Sequence, residues 1–206
     1  MTETKETTAS AVEAGSGLRA RKKIRSYRTI QDAGVRLFEE QGLAGTTVEQ
    51  IADEAGVSPR TVYRYFRTKE GVLFSTWALR EIPARFVEQP RELGPLGALE
   101  RAINWQDGEL AQPSDDKRRA LRLSLMGVPA VSRYAAEAAE SLAVQMRHAA
   151  LVWLGNDPNA AAIADILAAL LRMMVRSHFD GVPLTKAPLR PWLEAMRTIL
   201  DTPGFP

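Results

Sequence analysis

Apolar residues recur at helical spacing from about Ser26 to about position 70 of the chain. The first predicted helix runs from about Ser26 to Gln41 and is ended by Gly42. Its inward positions are Tyr27, Ile30, Gly34, Leu37 and Phe38. A second, short helix is expected to bury Val48, Ile51, Ala52 and Ala55 before Gly56. A capping box over Thr46–Glu49 is predicted to start it, because a hydroxyl and a carboxylate three residues apart satisfy free backbone N–H groups.

A third helix is predicted over Pro59–Phe66. Ser58 is its expected cap, and Pro59 occupies the first helical position, where a missing N–H costs nothing. Val62 and Phe66 lie one turn apart and are expected to face inward. A fourth helix, capped by Thr68, is predicted to continue to Pro83, which ends or kinks it. Its apolar positions are Val72, Leu73, Trp77 and Leu79.

The rest of the chain is also helical in pattern. Helices are expected at about 96–110, 116–126, 129–154, 159–179 and 189–200. No segment alternates between apolar and polar residues as a half-buried strand does. The sequence therefore predicts an all-α protein.

Composition removes several classes of protein. The chain of 206 residues has no cysteine and two histidines, His148 and His178, thirty positions apart. Thiolate metal sites, disulfide scaffolds and cysteine nucleophiles are excluded, and we expect no metal and no cofactor. The longest apolar stretch, Ala160–Val175, is broken by charges and is too short for a membrane span of roughly 18 apolar residues. No signal peptide is recognised, so a cytoplasmic location is expected.

Positive charge is concentrated in one segment. Residues 19–70 carry eleven bases and seven acids, whereas residues 71–206 carry fifteen of each. Arg19–Arg28 holds six bases in ten residues. This distribution is typical of a nucleic-acid-binding module beside a neutral one. We predict a disordered tail at 1–18, the basic module at 19–74 and a second domain at 75–206.

Residues 47–66, TVEQIADEAGVSPRTVYRYF, have the residue pattern and spacing of a helix-turn-helix. Gly56 suits the turn, Val57 fills the space between two short helices, and the second helix is the one that enters the major groove of DNA. Its expected outward side chains are Arg60, Thr61, Tyr63, Arg64 and Tyr65. Arginine matches the paired acceptors of guanine, and tyrosine hydroxyls reach phosphates. Lys69 adds a predicted phosphate contact.

Residues 24–73 resemble the DNA-binding domain of the TetR family of transcriptional regulators. The resemblance rests on Phe38 and Gly42 at the end of the first helix, on TTVEQIADEAGVS, and on the closing pattern of Tyr63, Phe66, Lys69 and Glu70. It implies a three-helix DNA-binding domain and a C-terminal helical bundle that binds a ligand and dimerises. The implied DNA-contacting residues are Arg28, Thr46, Thr47, Ser58, Arg60, Thr61, Tyr63, Arg64, Tyr65 and Lys69. Pro59-Arg60 departs from the Lys-Gly pair of many members, so the operator should be specific to this chain.

The helix over 159–179 is apolar on nearly every side and must be covered on every side. We expect a second subunit to cover it, with the 189–200 helix completing a four-helix interface; a central helix of a monomeric bundle is the alternative. The predicted interface residues are Ile163, Ile166, Leu167, Leu170, Met174, Trp192, Met196 and Ile199. A hydrophobic effector pocket is predicted around Trp77, Trp105, Arg122, Met126, Met146 and Met173, with Arg122 able to orient an anion.

These patterns favour a homodimeric repressor that binds a pseudo-palindromic operator on double-stranded DNA and is released by a small, hydrophobic effector. An activator or a ligand-independent DNA-binding protein of the same fold is the alternative. A helical sensing module that binds no DNA is a further one. An enzyme is disfavoured, because no phosphate loop and no paired acid, base or nucleophile is recognisable.

Overall fold

The computed structural model describes the backbone of residues 3–74, 76–104 and 114–181, and side chains within 23–74, 79–104 and 116–181 together with Thr76. Over these ranges the secondary structure is helical and contains no strand, which confirms the all-α class. The α-helices are α1 (Glu3–Gly45), α2 (Val48–Glu54), α3 (Pro59–Phe66), α4 (Trp77–Val87), α5 (Gly94–Asn104), α6 (Ser114–Leu125), α7 (Pro129–Leu154) and α8 (Ala160–Phe179). Short 3-10 helices lie at Glu70–Leu73 and Arg91–Leu93.

The chain divides into two compact units, Met1–Leu73 and Phe74–Pro206. Helix α1 begins at Glu3, ahead of the predicted start at Ser26, so its backbone includes the segment for which a disordered tail was expected. No helix within the described ranges is long and apolar enough to cross a bilayer.

The core of the first unit forms where α1 packs on α2 and on the 3-10 helix Glu70–Leu73, and where α2 packs on α3. Its fully buried side chains include Ile30, Ile51, Phe66, Val72 and Leu73. The inward positions predicted for α3, Val62 and Phe66, are confirmed.

The capping box predicted over Thr46–Glu49 is wrong by one residue. Thr47 is the N-cap of α2, and its hydroxyl accepts from the Gln50 N–H at 3.2 Å. In return, the Gln50 side chain accepts from the Thr47 N–H at 2.8 Å. Thr46 is instead buried, and its hydroxyl donates to the Gly42 carbonyl at 2.9 Å, beside the break in α1. Gly42, predicted to end the first helix, has a φ of 74° there.

The predicted fourth helix is two elements. The 3-10 helix Glu70–Leu73 comes first, and α4 begins only at Trp77. At this point the Val72 carbonyl accepts a hydrogen bond from the buried Gln31 side chain of α1 at 3.1 Å, which ties the 3-10 helix to α1. Pro83 lies inside α4 and does not end it, since the helix continues to Val87.

The second unit is built around α7 and α8, which pack against each other, with α4 on α7 and α5 on α8. Two ion pairs connect α7 and α8, Arg147–Asp165 at 2.6 Å and Arg172–Glu140 at 2.9 Å. Helix α7 has the predicted bounds, and α8 begins one residue later than predicted. The helix predicted at 189–200 lies outside the described residues, as do residues 105–113, which include the predicted end of the 96–110 helix.

The close approach of α1 to the 3-10 helix gives a stability prediction. A Cβ atom built on Gly34 would lie 2.5 Å from Val72 Cγ1, whereas one on Gly45 would meet its nearest neighbour at 3.7 Å. We expect Gly34→Ala to lower the free energy of unfolding by about 1–3 kcal/mol through overpacking, although alanine is the better helix former. Thermal denaturation followed by circular dichroism measures this. Gly45→Ala is the matched control and should be neutral or stabilising, while an equally stable Gly34→Ala protein would refute the close packing.

Candidate nucleic-acid interface

The turn between α2 and α3 is fixed by backbone hydrogen bonds. The Val57 N–H donates to the Ala52 carbonyl at 2.9 Å, and the Gly56 N–H donates to the Asp53 carbonyl at 3.1 Å. Gly56 has a φ of 64°, a conformation that glycine adopts without a Cβ penalty. The turn therefore fixes the orientation of α3 relative to α2.

The start of α3 is capped as the sequence predicts. The Ser58 hydroxyl accepts from the Thr61 N–H at 3.3 Å, and Pro59 is the first helical residue. The Ser58 and Thr61 hydroxyls lie 3.0 Å apart, within hydrogen-bond distance. Ser58 therefore holds the end of α3 that, in helix-turn-helix proteins, approaches base edges.

One face of α3 is held in the core by aromatic packing. The Phe66 ring lies 4.4 Å, centroid to centroid, from the Tyr27 ring of α1. Tyr65 meets the same Tyr27 ring edge to face at 6.0 Å. Val62 is also buried on this side. With this face of α3 held in the core, the opposite face is exposed to solvent.

The opposite face brings Arg60, Tyr63 and Arg64 to the surface together. The Tyr63 side chain is 49% exposed, although tyrosine is large and largely apolar. The Arg64 guanidinium lies 5.0 Å from the centre of the Tyr65 ring, a cation–π contact that orients it. Two arginines and a tyrosine on one docked helix can bind guanine edges and phosphates.

The remaining residues of the predicted set differ in their surroundings. Thr47 and Ser58 are exposed at the starts of α2 and α3, while Arg28 and Thr61 are half-buried. Thr46 and Tyr65 are buried in the domain. The Lys69 ammonium donates to the Leu43 carbonyl at 2.7 Å and the Thr46 carbonyl at 2.8 Å. Thr46, Tyr65 and Lys69 thus support the domain, and their DNA contacts stay predictions.

The described members of the predicted effector set differ in burial, and their role in a pocket stays a prediction. Arg122 is buried, and it donates to the Phe179 carbonyl at 3.0 Å and the His178 carbonyl at 3.1 Å at the end of α8. This binding of backbone carbonyls differs from the predicted role of orienting an anion. Met146 is fully buried, Met126 is half-buried and Met173 is 44% exposed. The side chains of Trp77 and Trp105 lie outside the described residues.

The predicted dimer residues separate into two groups on α8. Leu167 and Leu170 are buried inside the subunit, whereas Ile166 is 44% exposed. Ile163 and Met174 are half-buried, so their exposure is intermediate between that of the two groups. Trp192, Met196 and Ile199 lie outside the described residues. Sequence reasoning missed exposed Val144 and Val152 of α7, although their outward positions are implied by the spacing of the buried residues of that helix.

Comparison with known proteins bears on the same segment. The family model described as bacterial regulatory proteins, tetR family, matches residues 30–76. The HTH-type transcriptional regulator TcmR of Streptomyces glaucescens is 39% identical over 103 aligned positions, and the match covers 47% of this chain and 46% of that protein. The fatty acid metabolism regulator protein of Bacillus subtilis (strain 168) is 38% identical over 66 residues, 32% of this chain and 33% of that protein. The chain thus spans less than half the length of these two relatives.

Among solved structures, native NalD, the secondary repressor of the MexAB-OprM multidrug efflux pump in Pseudomonas aeruginosa, is similar with a TM-score of 0.49 at 20% identity. The match covers 85% of this chain and 96% of that one. Similarity this distant supports no inference about function. The two curated relatives are both regulator proteins.

The exposed arginines of α3 give a binding prediction. We expect the double variant Arg60→Ala, Arg64→Ala to lose specific binding to the DNA flanking its own gene at about 150 mM salt, because each bidentate arginine–guanine contact discriminates by about 1–3 kcal/mol. Fluorescence anisotropy with excess competitor DNA measures this. Arg36→Ala is the control for loss of an arginine outside α3, since it removes one positive charge from an exposed residue that is ion-paired to Glu54 at 2.7 Å. Undiminished specific binding by the double variant would contradict this interface.

Proposed function

We propose that this chain, whose residues 30–76 match the family model of bacterial regulatory proteins, tetR family, is a dimeric repressor of transcription. In this proposal it binds a pseudo-palindromic operator through α3 and is released by a small, hydrophobic effector. The observation that carries the proposal is the joint exposure of Arg60, Tyr63 and Arg64 on a helix whose other face is held in the core.

Dimerisation follows from the energy that one α3 helix can provide. Two arginine–guanine contacts discriminate by about 2–6 kcal/mol together, at the low end of the roughly 4–10 kcal/mol by which specific sites exceed non-specific ones. A second copy of α3 on the other half-site doubles this discrimination. A twofold dimer accordingly matches a pseudo-palindrome.

We infer that the dimer forms through the exposed apolar face of α8. Ile166 and Met173 lie seven residues apart, two helical turns along the same side, and each is 44% exposed. Ala162 and Ala169 are exposed on the same side and allow close helix approach. Leu167 and Leu170, which were predicted to contribute, belong to the subunit core in this interpretation.

The effector is proposed to be mainly apolar. The buried side chains of the second unit are chiefly aliphatic and aromatic, including Met146, Phe86 and Phe179. Arg122, the residue predicted to orient an anion, already donates to two carbonyls at the end of α8. We therefore expect the apolar part of an effector to contribute most of its affinity.

Release from DNA is proposed to work through subunit arrangement. Two α3 helices bind together only when they lie about 34–36 Å apart, one turn of B-DNA. An effector that binds better to a dimer with another spacing lowers the population of the DNA-binding arrangement. The free energy of this shift cannot exceed the difference between the effector's binding free energies for the two arrangements.

The proposed interface on α8 is tested by introducing charge. We expect Ile166→Asp and Met173→Asp each to shift the solution mass from twice the 22.7 kDa chain mass towards one chain, because an unpaired carboxylate is costly to bury. Light scattering after size exclusion measures the mass, and circular dichroism checks that the helices persist. Leu93→Asp, at a comparably exposed apolar position of the same unit, should remain dimeric. Dimers of unchanged stability in both α8 variants would place the interface elsewhere.

The direction of regulation is tested with the promoter next to its gene fused to a reporter. Wild-type protein should lower reporter output, and the Arg60→Ala, Arg64→Ala variant should not, since repression requires α3 to occupy the operator. Hydrophobic compounds that raise the output should also lower DNA affinity in the anisotropy assay. Output that rises with wild-type protein would show activation and overturn the repressor proposal.

A further inference from the structure

Arg67 has a backbone conformation that side chains rarely adopt. Its φ is 64° and its ψ is −42° at the C-cap of α3. The other positive φ values in the described part of the chain belong to glycines, such as Gly42 and Gly56. A Cβ atom is strained in this region, and glycine would relieve the strain.

The fold needs the turn at this position but not the arginine side chain. The Arg67 N–H donates to the Tyr63 carbonyl at 3.0 Å, and the Thr68 N–H donates to the Phe66 carbonyl at 2.7 Å. These bonds lead the chain from α3 into the buried 3-10 helix Glu70–Leu73, and glycine would make the same two backbone bonds. The Arg67 side chain is exposed and forms no hydrogen bond or ion pair with the described side chains.

The surroundings of Arg67 favour an anionic partner. No acidic residue occurs between Val57 and Thr68, a segment that contains three arginines. Arg67 follows Arg64 by three positions and Arg60 by seven, and it comes directly after the last residue of α3. At about 1.5 Å per residue, Arg60 and Arg67 are separated by roughly 10 Å along α3, close to the major-groove width of about 12 Å.

We propose that Arg67 binds a DNA backbone phosphate at the far edge of the groove that α3 enters, and that this contact is why a strained arginine stands where glycine would fit. The inference rests on the proposed function, because it assumes that α3 enters a major groove. In helix-turn-helix proteins the N-terminal residues of the recognition helix contact base edges, so its C-terminal end meets the backbone. Arg67 therefore adds affinity for DNA of any sequence and no base preference.

An arginine near a helix C-terminus also interacts favourably with the helix dipole. That role predicts a loss of stability when the charge is removed, with no effect on DNA binding. The phosphate contact predicts the reverse for Arg67→Gly, which relieves strain and loses a cation. Stability and DNA affinity must therefore be measured on the same variants.

The test compares the full-length wild-type protein with Arg67→Gly and Arg67→Lys on two DNAs, the flanking DNA of its gene and a random duplex of equal length. We expect Arg67→Gly to melt a few degrees higher than wild type and to bind both DNAs more weakly by the same factor. The affinity ratio of wild type to Arg67→Gly should fall by roughly 3.5-fold between 50 and 200 mM salt, which corresponds to one lost phosphate contact. Arg67→Lys keeps the charge and should retain the salt dependence of wild type.

Equal affinity of Arg67→Gly and wild type on both DNAs would overturn the proposal, as would a loss confined to the flanking DNA or a salt dependence identical to wild type. Wild-type protein that binds both DNAs equally would instead count against the proposed operator recognition. The random duplex still tests the Arg67 contact in that case, so the two failures are distinguishable.

Discussion

The attachment of α3 to the core by its inward side chains is the constraint on which the proposed interface depends. A helix of eight residues is not stable in water by itself, and α3 has that length. Phe66 and Val62 bury its inner face, and the contact of Phe66 with the Tyr27 ring ties it to α1. With that face fixed, the exposure of Arg60 and Arg64 on the outer face follows without further contacts.

The elements with strong local signals could be predicted from the sequence. Helix α3 has its predicted bounds because Ser58, Pro59 and the inward pair Val62 and Phe66 all specify the same start and face. The predicted capping box of α2 lies one residue too early, because two threonines are adjacent and either could serve as the cap. Only the tertiary structure shows that Thr46 is required at the Gly42 carbonyl, which leaves Thr47 as the cap. The short 3-10 helix was missed for a similar reason, since the bond from Gln31 to Val72 joins residues 41 positions apart.

The candidate functional residues were predictable where exposure follows from a one-sided helix. Arg60, Tyr63 and Arg64 are examples, because apolar residues mark the other side of α3. Helix α8 is apolar nearly all round, so its spacing alone could not separate buried Leu167 from exposed Ile166. The polar partners of Arg122 and Lys69 are backbone carbonyls far along the chain, which no local pattern indicates.

The central claim is that two copies of α3 read one DNA site from adjacent major grooves. Hydroxyl-radical footprinting of wild-type protein on the DNA flanking its gene tests this most directly. The account predicts two protected half-sites of related, inverted sequence, with centres about 10–10.5 base pairs apart or a multiple of that spacing. Protection of a single half-site, or uniform weak protection along the whole fragment, would contradict it.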